Sequence, residues 1–190
     1  MTQKFSAAEV LARKEAIVVA ATEVFLRYGY ARTTMADLAA ASKLSRPALY
    51  VFFADKDEIF TAVIRSLNDK MLDELRQTLP KLPTLDRRLH RCCAAWGAHG
   101  LELMEKHPDA KDLFDLSLPV VVEMCERFVD LVAELLSDAL AASAFKGSAR
   151  DIARNLVYSF RGLKEAAQDS VHLRRMIRLQ VDLVLHVLRS

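Results

Sequence analysis

Residues that break helices are scarce in this chain, which has five glycines and five prolines among its 190 residues. Collagen-like and low-complexity chains are rich in these residues, and small β-barrels need many turns, so the composition excludes all three classes. Hydrophobic residues make up 52% of the chain and charged residues 27%, which excludes a disordered chain. The composition therefore favours a folded protein built from long helices.

Cysteine is scarce as well, and three cysteines cannot form a disulfide framework. An odd number of cysteines suits a reduced, cytoplasmic protein. No apolar run approaches the roughly 18 residues that a membrane span needs. The N-terminal sequence MTQKFSAAEV shows no apolar segment of the kind found in secretion signals. We therefore expect a cytoplasmic protein without a membrane partner.

The charge of the chain is nearly balanced, with 27 basic and 25 acidic residues. A surface for nucleic acid must therefore be a local patch and not the whole protein. Between Arg27 and Lys56, five basic residues stand against two acidic ones, a local charge of +3. This N-terminal segment is the part of the chain best suited to a polyanion.

Helix signals follow one another along the chain and predict an all-α fold of about nine helices. Ser6 and Glu9 have the spacing of a capping box, and Gly29 predicts the end of the first helix. No alternating run of Val, Ile and Thr predicts a strand. We expect helices at about 6–29, 34–41, 46–52, 55–79, 84–106, 108–116, 119–142, 148–167 and 170–190.

Two short helices, 34–41 and 46–52, are joined by a three-residue turn, which is the organisation of a helix-turn-helix unit. In such units the N-terminal residues of the second helix face base edges in the major groove. Arg46 is suited to the O6 and N7 atoms of guanine, while Pro47 and Ala48 can contact a thymine methyl group. Other side chains of this segment can contact phosphates, namely Arg32, Thr33, Thr34, Lys43 and Lys56. A helical scaffold without DNA binding stays an alternative on this pattern alone.

The order and spacing of several motifs make the chain similar to a known family. Phe25, Gly29-Tyr30, TTMADLA at 33–39, LSRPALY at 44–50, Phe53 and Lys56-Asp57 resemble the DNA-binding head of the TetR family of transcriptional regulators. The resemblance covers about residues 10–60. It implies a three-helix DNA-binding domain at 6–54 and an effector-binding and dimerisation domain at 55–190. It also implies a homodimer that binds palindromic operator DNA, usually represses, and is released by a small molecule.

The resemblance further implies roles for single residues of the head. Thr34, Tyr50 and Lys56 resemble the phosphate anchors of the family, and Arg46 and Ala48 match positions that face bases. Together with the residues chosen for their chemistry, the expected DNA-binding set is Arg32, Thr33, Thr34, Lys43, Ser45, Arg46, Pro47, Ala48, Tyr50 and Lys56.

Two residues depart from the family pattern. Lys43 stands where the family most often has glycine in the turn, and Phe52 stands where histidine is usual. In the left-handed conformation, a side chain at Lys43 costs roughly 1 kcal/mol relative to glycine. The charge of Lys43 near the DNA backbone is a possible compensation.

The family reading also places an effector cavity among the helices of the second domain. Gly97 and Gly100 remove side-chain volume near Trp96, which either shapes a cavity or permits close helix packing. The mostly apolar candidates predict a small hydrophobic effector, oriented by a polar group such as His99 or Tyr158. The candidate lining residues are Cys93, Trp96, His99, Gly100, Leu103, Phe114, Met124, Phe128 and Tyr158.

The sequence shows no motif that predicts a metal, cofactor or catalytic site. Cys92 and Cys93 diverge by about 100° around a helix, so they do not face one ion and are expected to be ordinary buried cysteines. Glycine-rich phosphate loops, nucleophile elbows and zinc-protease motifs are missing from the sequence. We therefore expect a regulator and not an enzyme. The alternative is a helical module that binds a protein or a lipid-like molecule without DNA.

The last two predicted helices carry an apolar arc wider than the roughly 100° that covers one core. The apolar surface beyond that width predicts a C-terminal four-helix bundle formed by two copies of the chain. The alternative is that a third helix of the same chain covers it. The expected interface residues are Ile152, Leu156, Phe160, Leu163, Met176, Ile177, Val184 and Leu188.

Overall fold

The computed structural model describes residues 6–110, 115 and 117–189, and for 98–104 it describes the helical backbone without the side chains. This part of the chain contains α-helices and no β-strand, which confirms the all-α prediction. A short 3-10 helix, Leu79–Lys81, follows the fourth α-helix. The α-helices are α1 (Ala7–Arg32), α2 (Met35–Ala41), α3 (Arg46–Tyr50), α4 (Lys56–Thr78), α5 (Leu85–Lys106), α6 (Pro119–Ala142), α7 (Ala149–Ala166) and α8 (Ser170–Arg189).

The helix expected at 108–116 is the one difference in the order of elements. Residues 108–110 form a 3-10 turn, while 111–114 and 116 lie outside the described residues. Eight α-helices are therefore seen in the described residues, against an expected total of about nine.

Side-chain caps begin the helices where the sequence predicts them. Ser6 and Thr34 each form both hydrogen bonds of a capping box, with Glu9 and Asp37 as the partners. These bonds satisfy backbone N–H groups that have no acceptor within the first turn of a helix. The starts of α1 and α2 are therefore determined locally.

Helix α1 does not end at Gly29 as predicted. Gly29 adopts φ 73° and ψ 170°, which kinks α1, and the helix then continues to Arg32. This backbone conformation favours glycine because it has no Cβ. The glycine signal thus identified the break in the helix, but one more turn follows it.

The chain divides into two compact units by its contacts. The first unit comprises Met1–Asp69 and Leu103–Val121, and the second comprises Lys70–Glu102 and Val122–Ser190. In the first unit, Phe25, Leu38 and Leu49 are fully buried. They join α1, α2 and α3 into one small core.

The second unit has a larger core, to which α4, α5, α6, α7 and α8 all contribute. Polar pairs at its rim link α5 to α8, since His90 Nε2 lies 2.9 Å from Asp182 Oδ1 and Asp86 pairs with Arg189. Fully buried members of this core include Leu72, Leu89, Cys93, Phe128, Val132, Leu136, Leu156 and Val181. None of the helices in the described residues is both long and apolar enough to cross a membrane.

Candidate functional site

Helix α3 presents its polar residues outward because one leucine fixes its inner side. Ser45 caps the helix by accepting a hydrogen bond from the N–H of Ala48 at 3.3 Å, and Pro47 follows within the first turn. Leu49 is fully buried, whereas Arg46, Pro47 and Tyr50 are exposed. The guanidinium of Arg46 lies 5.9 Å from the centre of the Tyr50 ring. Arg46 and Pro47, which are expected to face bases, therefore stand on an accessible surface, whereas Ala48 is half-buried.

The turn between α2 and α3 contains a lysine in the left-handed conformation. Lys43 has φ 56°, and it is the one non-glycine residue of the described chain with a positive φ. The N–H of Lys43 donates to Ala40 O at 3.1 Å, and the N–H of Leu44 donates to Ala39 O at 2.9 Å. This pair of bonds is a Schellman motif, which normally has glycine at the position of Lys43. Lys43, which stands where the family most often has glycine, therefore adopts the left-handed conformation that favours glycine.

At the start of α2, the hydroxyl group of Thr34 is already hydrogen-bonded. Its Oγ1 donates to Asp37 Oδ2 at 2.6 Å and accepts from the N–H of Asp37 at 3.3 Å. The bonds from the Thr34 side chain and backbone lower the pKa of Asp37. Thr34 is exposed, so a phosphate at this position would meet the Asp37 carboxylate as well.

The structure corrects the expectation for Thr33. Its side chain is only 2% exposed, and its Oγ1 donates to Gly29 O at 2.6 Å. A hydroxyl that is buried and bonded in this way closes the kink of α1 and does not reach a phosphate. Arg32, by contrast, is exposed, with one guanidinium nitrogen 2.6 Å from Asp109 Oδ1.

Lys56 is held by the aromatic residue at the end of α1. Its Nζ donates to Tyr30 O at 2.9 Å and lies 4.1 Å from the centre of the Tyr30 ring. The hydroxyl of Tyr30 in turn bonds to Asp57. Tyr30 thus positions the ammonium group of a predicted phosphate anchor, a role that the sequence did not reveal because it depends on contacts 26 residues apart.

Among the candidate effector residues, Cys93 and Phe128 belong to the core against which the single tryptophan packs. The Trp96 and Phe128 rings are stacked, with centres 4.2 Å apart and planes 8° apart. Cys93, Met124 and Phe128 are buried. Phe114 lies outside the described residues, and so do the side chains of His99 and Leu103 and the surroundings of Gly100.

Tyr158, expected to orient an effector, is engaged with charged residues. Glu126 Oε1 accepts from the Tyr158 hydroxyl at 3.1 Å, and Glu126 Oε2 accepts from Arg154 at 2.6 Å and from Arg150 at 2.8 Å. The bond from Arg154 makes the largest contribution in lowering the pKa of Glu126 to about 2. Burial, followed by the bond to Glu126, raises the pKa of Tyr158 to about 12.

Gly97 serves close helix packing. A Cβ placed on Gly97 would collide with Cδ1 of Ile177 on α8. The volume missing at this glycine is therefore filled by a side chain of the neighbouring helix, as the packing alternative expected. Ile177 itself is buried.

Several residues expected at a dimer interface belong to the core of the chain. Leu156, Phe160, Ile177 and Leu188 are buried, so they are not available to a second copy. Ile152, Leu163, Met176 and Val184 are half-buried. Besides Val171 near its start, the apolar side chains that α8 leaves exposed are instead Leu179, Leu183 and Val187.

The three cysteines are free thiols in protected surroundings. Burial raises the pKa of Cys92 to about 12 and that of Cys125 to about 11, and it raises the pKa of Cys93 well above its usual value. Thiols of this kind are poor nucleophiles because the thiolate is disfavoured. The described residues contain no group of three His, Cys, Asp or Glu side chains arranged to hold a metal ion.

Several known proteins that resemble this chain in sequence or in fold are transcriptional regulators. The model of bacterial regulatory proteins of the tetR family matches residues 17–63. The chain is 26% identical over 139 residues to the HTH-type transcriptional regulator YhgD of Bacillus subtilis, a match that covers 70% of this chain and 72% of that protein. It is 31% identical over 84 residues to the HTH-type transcriptional activator FasR of Mycolicibacterium smegmatis, covering 44% of this chain and 38% of that protein.

A solved structure of a TetR-family transcriptional regulator from Pectobacterium atrosepticum has the same fold. It superposes with a TM-score of 0.71 at 19% identity and covers 95% of this chain and 96% of that one. These proteins are transcriptional regulators and not enzymes. The helix-turn-helix head is therefore of the tetR-family type over residues 17–63, and the chain as a whole has the fold of TetR-family transcriptional regulators.

Proposed function

We propose that this regulator binds palindromic operator DNA as a homodimer in the cytoplasm, represses transcription there, and is released by a small, mostly hydrophobic effector. The observation that carries the proposal is the outward face of α3. Arg46 and Pro47 are exposed at its N-terminal end while Leu49 is fully buried. Side chains at this end of the second helix are the ones that reach base edges in helix-turn-helix proteins.

The test of operator binding is selection of DNA fragments from a random duplex library by the purified protein. We expect two half-sites related by a two-fold axis, with centres about one helical turn or a multiple of it apart. The logarithm of the affinity should fall steeply with the logarithm of salt concentration, because binding releases counterions. Equal affinity for selected and random duplexes, or a flat salt dependence, would instead favour the helical module without DNA binding.

The proposed dimer uses α7 and α8. Leu179, Leu183 and Val187 repeat every four residues on α8 and are 60%, 55% and 42% exposed. They lie away from the α8 residues that enter the core of the chain, such as Ile177 and Val181. A row of exposed apolar side chains along one helix favours a protein interface at this position. A two-fold pairing buries it against the same surface of a second copy.

A charge placed in this apolar row tests the dimer. Leu183→Glu should convert the protein to a monomer in light scattering and abolish operator binding with it. Val19→Glu, which places the same charge on an exposed valine of α1, is the matched control and should leave the dimer intact. A wild-type monomer at micromolar concentration that still binds operator tightly would contradict the proposal.

The effector is proposed to bind near Trp96 in the second unit. The buried residues Cys93 and Phe128 of the same core supply an apolar environment, which favours a hydrophobic compound. Since the chain has one tryptophan, its fluorescence reports binding directly. A compound that quenches Trp96 should also lower operator affinity, because it binds better to the DNA-free state. Quenching without a change in operator affinity would show that the compound binds near Trp96 but does not regulate DNA binding.

Repression is tested with a reporter gene placed behind the selected operator. Loss of the regulator should raise expression. Because FasR, a relative of this chain, is a transcriptional activator, the opposite sign is a real alternative. Lower expression on loss of the regulator would make this protein an activator while leaving its operator binding intact.

A further inference from the structure

The outward face of α3 is divided into a polar strip and an apolar strip. Arg46 and Tyr50 are four residues apart, and so are Pro47 and Val51, so each pair lies one helical turn apart on the same side. Val51 follows the last residue of α3 but keeps helical geometry, with φ −67° and ψ −29°. The apolar strip therefore runs parallel to the strip that carries Arg46.

Val51 is unusually accessible for a hydrophobic residue. Its exposed fraction is 70%, the largest of any large hydrophobic residue in the described part of the first unit. Other apolar residues near this position do enter the core, since Leu49, Phe52 and Phe53 are all buried. An apolar side chain left exposed on the same short helical segment as Arg46 fits a partner that combines negative charge with an apolar group.

The major groove of DNA offers both features. Phosphates supply the charge, and the C5-methyl group of thymine is the apolar group that the base edges present there. We propose that Val51 contacts the C5-methyl group of one thymine in each operator half-site and so selects that base, an inference that rests on the operator binding proposed above. Arg46 and Val51 then read different bases from parallel strips of one short helix.

Deoxyuridine provides the test, because it pairs like thymine and lacks only the methyl group. Each thymine of one selected half-site is replaced in turn, and the affinity is measured for the wild type and for Val51→Ala. The wild type should lose about fourfold in affinity at one thymine, the factor expected for one buried methyl group. Val51→Ala should bind the two duplexes equally at that thymine while keeping its response at any others.

Val171→Ala is the matched control, since it makes the same change at a valine of α8 that is 72% exposed. It should retain the wild-type response to every deoxyuridine. If the wild type responds to no thymine methyl group, or if Val51→Ala responds at the same thymines by the same factors, Val51 does not read the base. Failure to select any operator sequence is a separate result and would overturn the proposed function itself.

Discussion

A carboxylate oxygen of Asp109 lies 2.6 Å from a guanidinium nitrogen of Arg32, so the turn after α5 supplies the counter-ion of a predicted phosphate contact. The two side chains are 58% and 61% exposed, and exposed pairs of this kind contribute up to about 1 kcal/mol. A DNA phosphate at Arg32 would compete with Asp109 for the same group. The ion pair therefore opposes binding at this contact.

Asp109→Asn should raise operator affinity by about two- to fivefold, because the guanidinium no longer has to leave a carboxylate. Fluorescence anisotropy with labelled operator measures the change. In the Arg32→Ala background the same substitution should have no effect. A loss of affinity in Asp109→Asn would mean that Asp109 orients Arg32 toward the phosphate.

Arg46 and Lys56 should differ in what they contribute to DNA binding. Arg46→Ala should cost about 1–3 kcal/mol on the selected operator and reduce discrimination at one base pair per half-site. Lys56→Ala should weaken all duplexes about equally and lower the salt slope by about one unit for each phosphate that Lys56 neutralises. Equal losses on operator and random DNA for Arg46→Ala would contradict its assignment to a base.

Lys43→Gly should stabilise the protein and weaken DNA binding at once. Glycine relieves the left-handed conformation at φ 56°, which we expect to raise the free energy of unfolding by about 1 kcal/mol. The same substitution removes a charge near the DNA backbone and should reduce the salt slope. Urea denaturation and salt titration measure the two effects. Unchanged DNA affinity would show that Lys43 makes no phosphate contact.

Glu126 should make the stability of the second unit depend on pH in the acid range. Its pKa in the folded protein is about 2, below the ordinary value of 4.5, so the carboxylate form favours the folded state. This stability is fully present above pH 4.5 and should be lost as the pH falls toward 2. Glu126→Gln should make the free energy of unfolding, measured by urea denaturation, depend less on pH between 4.5 and 2. Glu134→Gln, on the same helix and outside the cluster, is the control and should leave the wild-type profile.

Gly97→Ala should destabilise the protein although alanine favours helix. Its Cβ would collide with Cδ1 of Ile177, and overpacking of this kind costs about 1–3 kcal/mol, against about 1 kcal/mol gained in helix propensity. Ile177→Val removes Cδ1, so the double variant should be more stable than the two separate losses imply. Strict additivity in urea denaturation would show that α5 or α8 shifts to make room.

The sequence predicted what depends on neighbouring residues. Caps such as Thr34 with Asp37 are visible because both partners lie within one turn. The burial of Thr33 was not visible, since it follows from the kink at Gly29, after which the chain still completes a helical turn.

Contacts between distant segments account for the remaining differences. The pairing of Arg32 with Asp109 joins residues far apart in the sequence. The sequence predicts the width of the apolar arc on α8, but it does not predict which side of that arc enters the core of the chain. Leu183 and Ile177 are both apolar, and only packing decides that one is exposed and the other buried.

Helix α3 contributes few side chains to the core, and this has an evolutionary consequence. Within its five residues, one side chain, Leu49, is buried, while Arg46, Pro47 and Tyr50 are exposed, as is Val51 beyond the helix end. Substitutions at the exposed positions would alter the proposed base contacts without creating a cavity, so they would escape the stability cost that constrains most mutations. On the proposed function, a lineage carrying this head would acquire new target sequences by drift at a few surface positions while its fold stays under separate selection.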